Sequence, residues 1–222
     1  RLPPDVASRT RHGAFLRGAE LSEPSFFGIS PAEAAAMDPQ QRLLLERGYA
    51  ALHDARFERI TLEGSLTGVF LGFAGSEFGQ LLAASPAGGG VYAATGSTLS
   101  IASGRLAYAL GLHGACVSYD TACSSSLSAC HAGLRALQLD ECAVGLVAGM
   151  ALALIPSVST SFAVAGMTSA RGRSHTFDAR ADGYARGEAC GAVALRHCDD
   201  ASGASLHGSA VRQGGRAASL TA

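Results

Sequence analysis

Cysteine is the residue type in this sequence best suited to covalent chemistry, and Cys123 is distinguished by its position. An apolar segment of strand length ends at Tyr119 and a helical pattern begins at about Ser124, so Cys123 lies at the junction. The first turn of a helix has unpaired backbone N–H groups and the positive end of the helix dipole, which favour the thiolate form of a nearby cysteine. The segment therefore predicts a nucleophile at a sharp strand-to-helix turn, an arrangement that hydrolases use for serine.

Two other interpretations of this junction fit the same residues. A cysteine at the start of an interior helix can be a small hydrophobic residue with no chemical role. The serines that follow, Ser124 to Ser126, can serve as capping residues of the helix. Because spacing alone does not separate a nucleophile from a packing residue, these interpretations stay open at this point.

The cysteines and histidines have no spacing typical of a metal site. The sequence has neither a Cys-x-x-Cys pair nor a close Cys/His cluster, so we expect no metal ion. His131 lies about 12 Å from Cys123 along one helix and is interpreted as a packing residue. Free thiols are typical of a reducing compartment, so the expected location is the cytoplasm, with an organelle as the alternative. The other cysteines are Cys116, Cys130, Cys142, Cys190 and Cys198.

Composition excludes several other kinds of chemistry. The 222 residues carry 17 basic and 18 acidic side chains, a formal net charge of −1, and such a balance is not that of a general nucleic-acid binder. All the basic residues are arginine, which rules out a lysine Schiff base and a phosphate-binding lysine loop. Residues 142–170 are uncharged and could be mistaken for a membrane span. Pro156 interrupts them, so we expect a buried strand, a turn and a second buried element instead.

Alternating strand and helix patterns predict an α/β layer fold with a buried sheet, in one body. Residues 1–30, 84–97 and 168–188 are expected to be irregular. The last of these is interpreted as a loop held by ion pairs, with carrier docking as the alternative. The predicted strands are 69–72, 115–119, 143–150, 151–155 and 192–195, and the predicted helices begin at Asp38-Pro39, at Leu99 and at about Ser124.

Three of the predicted helices have an apolar face, and in the helix that begins at Leu99 it comprises Leu99, Ala102, Leu106, Ala109 and Leu110. The helix that begins at Asp38-Pro39 places Leu44, Gly48, Ala51, Leu52 and Ala55 on one face, and its polar residues, including Gln40 and Gln41, are expected to face water. The helix after Cys123 is rich in small residues on most sides, as is typical of a helix buried inside a domain. One of its faces comprises Leu127, Cys130, Leu134 and Leu137.

The segment Asp120-Thr-Ala-Cys-Ser-Ser-Ser-Leu127 resembles the active-site signature of β-ketoacyl synthase (ketosynthase) domains of polyketide synthases and type I fatty acid synthases. Similar runs occur in the family's order along the chain and favour the polyketide branch. They are Phe26-Phe-Gly-Ile-Ser-Pro31, Met37-Asp-Pro-Gln-Gln-Arg-Leu-Leu-Leu-Glu46, Thr95-Gly96, Ser103-Gly-Arg-Leu106, Arg173, Thr176-Phe-Asp178, Asp182-Gly183, Arg186-Gly-Glu188 and Gly208-Ser-Ala-Val211.

This resemblance implies a thiolase-like layered α-β-α-β-α fold made of two similar halves and paired as a homodimer. Residues 1–222 are expected to be the N-terminal portion of a ketosynthase domain, truncated at both ends, and the first of the two halves. Cys123 is then the catalytic residue, which accepts an acyl group from the thioester of an acyl carrier protein. A malonyl carrier protein then undergoes decarboxylative Claisen condensation with that group in polyketide or fatty acid biosynthesis. Substrates are carried on phosphopantetheine, and no further cofactor is implied.

The family also uses two histidines from the second half, and no histidine of this chain matches them. We therefore expect acyl loading without condensation from this chain alone. A second hypothesis is a non-elongating relative that serves as a dimerisation or carrier-docking scaffold. A third is a thiol hydrolase, which would need a base near the sulfur, and the sequence offers no convincing candidate.

Overall fold

Four strands form the central sheet of the part of the chain that the structure describes. That part comprises residues 2–73, 75, 77–197 and 204–216 of a computed structural model. The described part has six strands in all, four in this sheet and two in a separate pair. In chain order they are β1 (Gly13–Ala14), β2 (Thr67–Phe73), β3 (Cys116–Tyr119), β4 (Val144–Ala151), β5 (Arg186–Gly187) and β6 (Ala189–Arg196). The order in the sheet is β3-β2-β4-β6, with β2 parallel to both neighbours and β6 antiparallel to β4. A separate parallel pair joins β1 to β5.

Helices cover both faces of the sheet. They are α1 (Pro4–Arg9), α2 (Pro31–Ala36), α3 (Pro39–Asp54), α4 (Arg59–Leu62), α5 (Phe78–Ala83), α6 (Ala93–Gly96), α7 (Leu99–Leu110), α8 (Ser125–Gln138) and α9 (Pro156–Val164), with 3-10 turns at Pro24–Phe27, Pro86–Gly89 and Ala122–Ser124. The predicted start of α3 is confirmed. The Asp38 Oδ1 atom accepts a hydrogen bond from the Gln40 N–H at 2.8 Å, and Pro39 suits the first turn.

The core lies in two parts, one on each face of the sheet. Strand β2 is buried along its whole length. Successive side chains of a strand point to opposite faces, so Val69 and Leu71 join the cluster under α3 and α7, whereas Phe70 joins the cluster under α8. The two helical layers with the sheet between them confirm the predicted α/β layer arrangement.

The predicted water-facing position of Gln40 and Gln41 is wrong, because both side chains are almost fully buried, at 3% and 1% exposure. Gln40 Nε2 donates to Asp38 Oδ2 at 3.2 Å. Gln41 Nε2 donates to the Thr95 carbonyl at 3.2 Å, and its Oε1 accepts from Arg105 Nε at 2.8 Å. A buried amide is tolerated when its hydrogen bonds are satisfied, and the partners of Gln41, which lie 54 and 64 residues away, leave no local pattern. The predicted buried face is confirmed for Leu44, Gly48 and Leu52, whereas Ala51 and Ala55 are only partly buried.

The helix after Cys123 is less enclosed in this chain than its composition predicts. Its buried residues are Ser125, Ala129, Gly133, Ala136 and Leu137. Leu127, at the start of the predicted apolar face, is 76% exposed. The small residues therefore face the sheet, where close approach requires them, and the larger Leu127 lies on the opposite side.

The predicted second strand at residues 151–155 is wrong. Strand β4 ends at Ala151, and α9 begins at Pro156. The N–H groups of residues 152–155 donate to the side chains of Gln40, Glu188 and Glu77 rather than to another strand. Among the residues that the structure describes, no helix is both long and apolar enough to cross a membrane.

The segments predicted to be irregular contain some regular structure. Short helices occur within 1–30 and 84–97, and β1 ties the first of these segments to β5. Residues 168–188 form mostly a loop, with an isolated bridge between Thr168 and Tyr184. The predicted ion pairs are present in this loop, between Arg171 and Asp182 and between Arg180 and Asp178.

Candidate active site

Cys123 lies in a tight turn between a strand and a helix, as predicted. Strand β3 ends at Tyr119, the 3-10 turn covers Ala122–Ser124, and α8 begins at Ser125. Ala122, the residue before the cysteine, has a φ of 52°, a left-handed conformation that is uncommon for a residue other than glycine. The turn presents Cys123 as an exposed thiol immediately before the first turn of the helix.

Side chains of the signature segment stabilise this turn from within. The Asp120 Oδ1 atom accepts from the Ala122 N–H at 3.1 Å. The Ser125 hydroxyl donates to the Ala122 carbonyl at 2.6 Å and accepts from the Thr121 N–H at 2.9 Å. Ser124 donates to the Thr121 carbonyl at 2.8 Å. The serines after the cysteine therefore hold the turn itself, since the residue that precedes α8 makes no side-chain capping hydrogen bond.

Glycines in the sheet allow the start of α8 to approach closely. A Cβ atom at Gly72 would lie 2.4 Å from the Ser126 backbone nitrogen, and one at Gly149 would lie 2.1 Å from the Ser126 Oγ atom. Gly72 pairs with Gly149 across β2 and β4, and Gly149 pairs with Gly191 on β6. Two of the three glycines in this cross-strand row thus make room for the turn that carries Cys123.

Cys123 opens onto a groove of about 710 Å³. The groove is lined by the ends of β2 and β4, by α9, by residues 184–187 and by Ala189. Its apolar lining includes Met150, Leu152 and Phe162, and its charged lining residues are Glu77 and Arg186. No histidine is among the residues that line it in the described part of the chain.

Arg186 and Glu77 form the charged part of the groove. The Arg186 Nη2 atom lies 3.7 Å from the Glu77 Oε1 atom. Arg186 also donates to the Ser159 hydroxyl at 2.6 Å, and its guanidinium group lies 5.1 Å from the centre of the Phe162 ring. Neither the Glu77–Arg186 pair nor its position in the groove was predicted from the sequence.

The other described cysteines are in less favourable places for chemistry. Cys142 is buried, and Cys116 is exposed on β3, outside the groove. Burial raises the pKa of the Cys190 thiol to about 11 and also raises the pKa of Cys142. Cys198 lies outside the described residues.

His131 is remote from the groove and lines a different cavity. Its Nδ1 atom lies 2.8 Å from the Ser209 Oγ atom, so it connects α8 to residues 204–216. The expectation that it does not pair with Cys123 agrees with this position. Within the described ranges, no cluster of three histidine, cysteine, aspartate or glutamate residues could hold a metal ion.

A central helix, α8, packs on a mostly parallel sheet, and a cysteine lies in the sharp turn before it. Residues 1–201 match the family described as "Beta-ketoacyl synthase, N-terminal domain". The chain belongs to this β-ketoacyl synthase family.

Similar proteins are polyketide synthases. The chain is 44% identical over 219 residues to the polyketide synthase GfsB of Streptomyces halstedii, which covers 96% of this chain and 4% of that protein. It is 42% identical over 225 residues to a mycocerosic acid synthase-like polyketide synthase of Mycolicibacterium smegmatis, covering 98% of this chain and 11% of that protein. The chain therefore spans a small part of the length of the relatives it matches, and it is a ketosynthase-type polyketide synthase domain sequence.

Solved ketosynthase structures share the fold. One is the ketosynthase from module 6 of the bacillaene synthase from Bacillus subtilis 168, with a TM-score of 0.76 and 38% identity over 83% of this chain and 31% of that chain. Another is an oxazolomycin ketosynthase domain of Streptomyces albus JA3453, with a TM-score of 0.77 and 33% identity over 87% of this chain and 34% of that chain. The predicted thiolase-like fold and the predicted family are confirmed.

Proposed function

We propose that Cys123 is the nucleophile of a β-ketoacyl synthase and accepts an acyl group from the thioester of an acyl carrier protein. The observation that carries this proposal is the exposed thiol in a strand-to-helix turn, open to a groove large enough for an acyl chain. Binding pockets for small molecules have volumes of roughly 300–1,000 Å³, and the volume of this groove, about 710 Å³, falls within that range.

The loading step is a thioester exchange. The sulfur of Cys123 attacks the thioester carbonyl carbon, a new C–S bond forms, and the C–S bond to the phosphopantetheine arm breaks. The proton of the Cys123 thiol ends on the released phosphopantetheine thiol, so the exchange is balanced with no other reactant. Cysteine suits this reaction because it is a strong nucleophile even when only partly ionised.

The backbone assists at the oxygen of the tetrahedral intermediate. Hydrogen-bond donors placed where negative charge develops are a large source of catalysis in acyl transfer. We assign the backbone N–H of Cys123 as one such donor, because it belongs to the same tight turn as the sulfur. The resemblance to the family implies that a second donor comes from the other half of the domain.

The apolar lining of the groove fits the acyl chain. Met150, Leu152 and Phe162 line it on the side of β4 and α9, and burial of a CH₂ group against such residues contributes about 0.8 kcal/mol. The partner of the loading step is then the acyl carrier protein, and the resemblance implies a homodimer of the complete domain. Condensation with malonyl carrier protein is the proposed reaction of the complete domain.

The test is acyl loading of the purified chain from an acyl phosphopantetheine thioester, followed by intact-protein mass spectrometry. The parent chain is expected to gain one acyl group, and Cys123→Ala is expected to gain none. Cys116→Ala is the matched control, because Cys116 is also exposed but lies on β3 outside the groove, and it should load like the parent. Equal loading of Cys123→Ala and the parent would refute the assignment, and no loading of the parent would favour a non-elongating scaffold.

A further inference from the structure

Residues 152–155 connect two parts of the groove that contains Cys123. On one side the segment follows β4, whose Met150 lines the groove, and on the other it leads into α9, whose Phe162 also lines it. The segment is not a strand, so it has no ladder of backbone hydrogen bonds to fix it. Its position must therefore be set by other groups.

Side chains replace that ladder along the whole segment. The Gln40 Oε1 atom accepts from the Leu152 N–H at 3.0 Å, and the Glu188 Oε1 atom accepts from the Ala153 N–H at 3.0 Å. Glu77 accepts from the two remaining N–H groups, those of Leu154 and Ile155, both at 2.7 Å through the same Oε2 atom. Glu77 thus supplies half of the hydrogen bonds that hold this segment.

The second carboxylate oxygen of Glu77 faces Arg186. Its Oε1 atom lies 3.7 Å from the Arg186 guanidinium, and the side chains of the two residues are 14% and 20% exposed. Arg186 in turn contacts the Phe162 ring and the Ser159 hydroxyl of α9. One carboxylate therefore links the turn before α5, the segment 152–155, and β5.

We propose that Glu77 is a positioning residue that fixes the wall of the Cys123 groove and thereby determines which acyl chains reach the sulfur. The part of this inference that concerns acyl chains rests on the proposed function. The part that concerns the wall does not, because it applies to any electrophile that must enter the groove to reach Cys123.

Glu77 can fix the wall of the groove because its carboxylate is charged and because it binds several groups at once. Hydrogen bonds to an ionised acceptor are stronger than those between neutral groups, and the partly buried N–H groups of Leu154 and Ile155 lose this stabilisation when the acceptor is removed. In Glu77→Ala, the N–H groups of Leu154 and Ile155 lose their acceptor, and Arg186 loses its carboxylate. Glu77→Gln keeps an oxygen acceptor but removes the charge, so its effect should be intermediate.

The test combines two measurements on the parent chain, Glu77→Ala, Glu77→Gln and the control Glu20→Gln, whose side chain is on an exposed surface. Hydrogen–deuterium exchange reports on the Leu154 and Ile155 amides. Alkylation of Cys123 by a small and by a long-chain N-alkylmaleimide, read by mass spectrometry, reports on the groove without any need for acyl transfer. A third measurement compares loading from short and long acyl thioesters.

We expect the Leu154 and Ile155 amides to exchange about tenfold faster or more in Glu77→Ala. The ratio of the long-chain to the small maleimide rate should change by about threefold or more, since small displacements near a reacting group have large effects on rate. Glu77→Gln should fall between the parent and Glu77→Ala, and Glu20→Gln should match the parent.

Two results would overturn the inference. One is unchanged exchange of both amides in Glu77→Ala, which would mean that other groups fix the segment. The other is an unchanged ratio of maleimide rates despite faster exchange, which would mean that the segment does not shape access to Cys123. A parent chain that reacts with maleimide but never loads an acyl group would refute the proposed function and leave the positioning role to be decided by these two measurements.

Discussion

The described thiols of this chain differ in burial, because Cys142 is buried, Cys130 and Cys190 are partly buried, and Cys116 and Cys123 are exposed. The thiolate is the reactive form of cysteine, and burial raises the pKa of Cys190 to about 11 and also raises the pKa of Cys142. Both thiols are therefore poor nucleophiles near neutral pH. Cys116 and Cys123 are exposed, and of these two Cys123 lines the groove. The difference between these two exposed residues is position, which is why Cys116 is the informative control for acyl loading.

At the scale of single residues, Asp178 offers a test of the ion pairs in the loop at 168–188. The hydrogen bonds from the Arg180 side chain and backbone lower the pKa of Asp178 to about 2. Because this pKa is depressed, the contribution of the pair is present above the ordinary pKa of about 4 and is lost as the pH falls through about 2. We expect Arg180→Ala to raise the pKa of Asp178 towards its ordinary value, as measured by NMR titration of the carboxyl carbon.

Ser169→Ala is the matched control for that titration. The Ser169 hydroxyl donates to Asp182 Oδ1 at 2.5 Å and is the main cause of the lowered pKa of Asp182. Its removal should raise the pKa of Asp182 and leave that of Asp178 unchanged. A pKa of Asp178 that stays near 2 in Arg180→Ala would show that the pair does not exist in solution.

The candidate site could be predicted from sequence only where its residues are neighbours in the chain. Cys123 was found because the strand, the thiol and the helix follow one another directly. Gln40 and Glu77 were missed, because their partners in 152–155 lie 112 and 77 residues away. A polar residue whose hydrogen-bond partner is a backbone group far away in the chain has no local sequence signature. Gln40 therefore has the pattern of an ordinary surface residue of an amphipathic helix.

At the scale of elements, we expect alanine substitutions in the glycine row under α8 to destabilise the fold by different amounts. Overpacking a tight contact costs about 1–3 kcal/mol. Gly72→Ala should destabilise most, because its Cβ would meet the Ser126 backbone. Gly149→Ala should destabilise less, since its nearest contact, the Ser126 hydroxyl, can rotate away and the Ser126 Cβ atom would lie at 2.9 Å. The measurement is the free energy of unfolding in urea, with Cys123 alkylation as a second readout of the turn.

Gly191→Ala is the control within the same row, because a Cβ there has nothing within 4 Å. This variant tests whether a methyl group in the row lowers the free energy of unfolding even where it makes no close contact. Its free energy of unfolding should stay within about 0.5 kcal/mol of the parent. A loss at Gly191 equal to that at Gly72 would contradict the role assigned to the contact with Ser126.

Elements were predicted well where burial alone determines them. Strands β2, β3 and β6 were each predicted within their observed bounds or within one residue of them, since a short apolar run between turn residues is typical of a buried strand. The segment 151–155 was predicted as a strand for the same reason, and wrongly. Its backbone is satisfied by side chains of three distant residues, and hydropathy does not distinguish such a segment from a strand.

At the scale of the whole molecule, the described part is one layered half with helices on both faces of its sheet. The outer side of α8 is open, as the exposure of Leu127 shows. The fold class was predictable because the order of strands and helices restricts the topology.

The reaction that this chain can complete alone depends on which groups line the groove. Decarboxylation of a malonyl thioester requires groups that stabilise the developing enolate at the thioester oxygen. No histidine lines the described part of the groove, and its arginine, Arg186, already contacts Glu77, Ser159 and Phe162. We therefore expect acyl loading on Cys123 but no condensation.

After loading, the chain is incubated with malonyl carrier protein labelled at the free carboxylate, and released CO₂ and the β-ketoacyl product are measured. A complete ketosynthase domain assayed in parallel establishes that the reagents are competent, and any Cys123-dependent product from this chain would mean that its own residues suffice for the carbon–carbon bond-forming step.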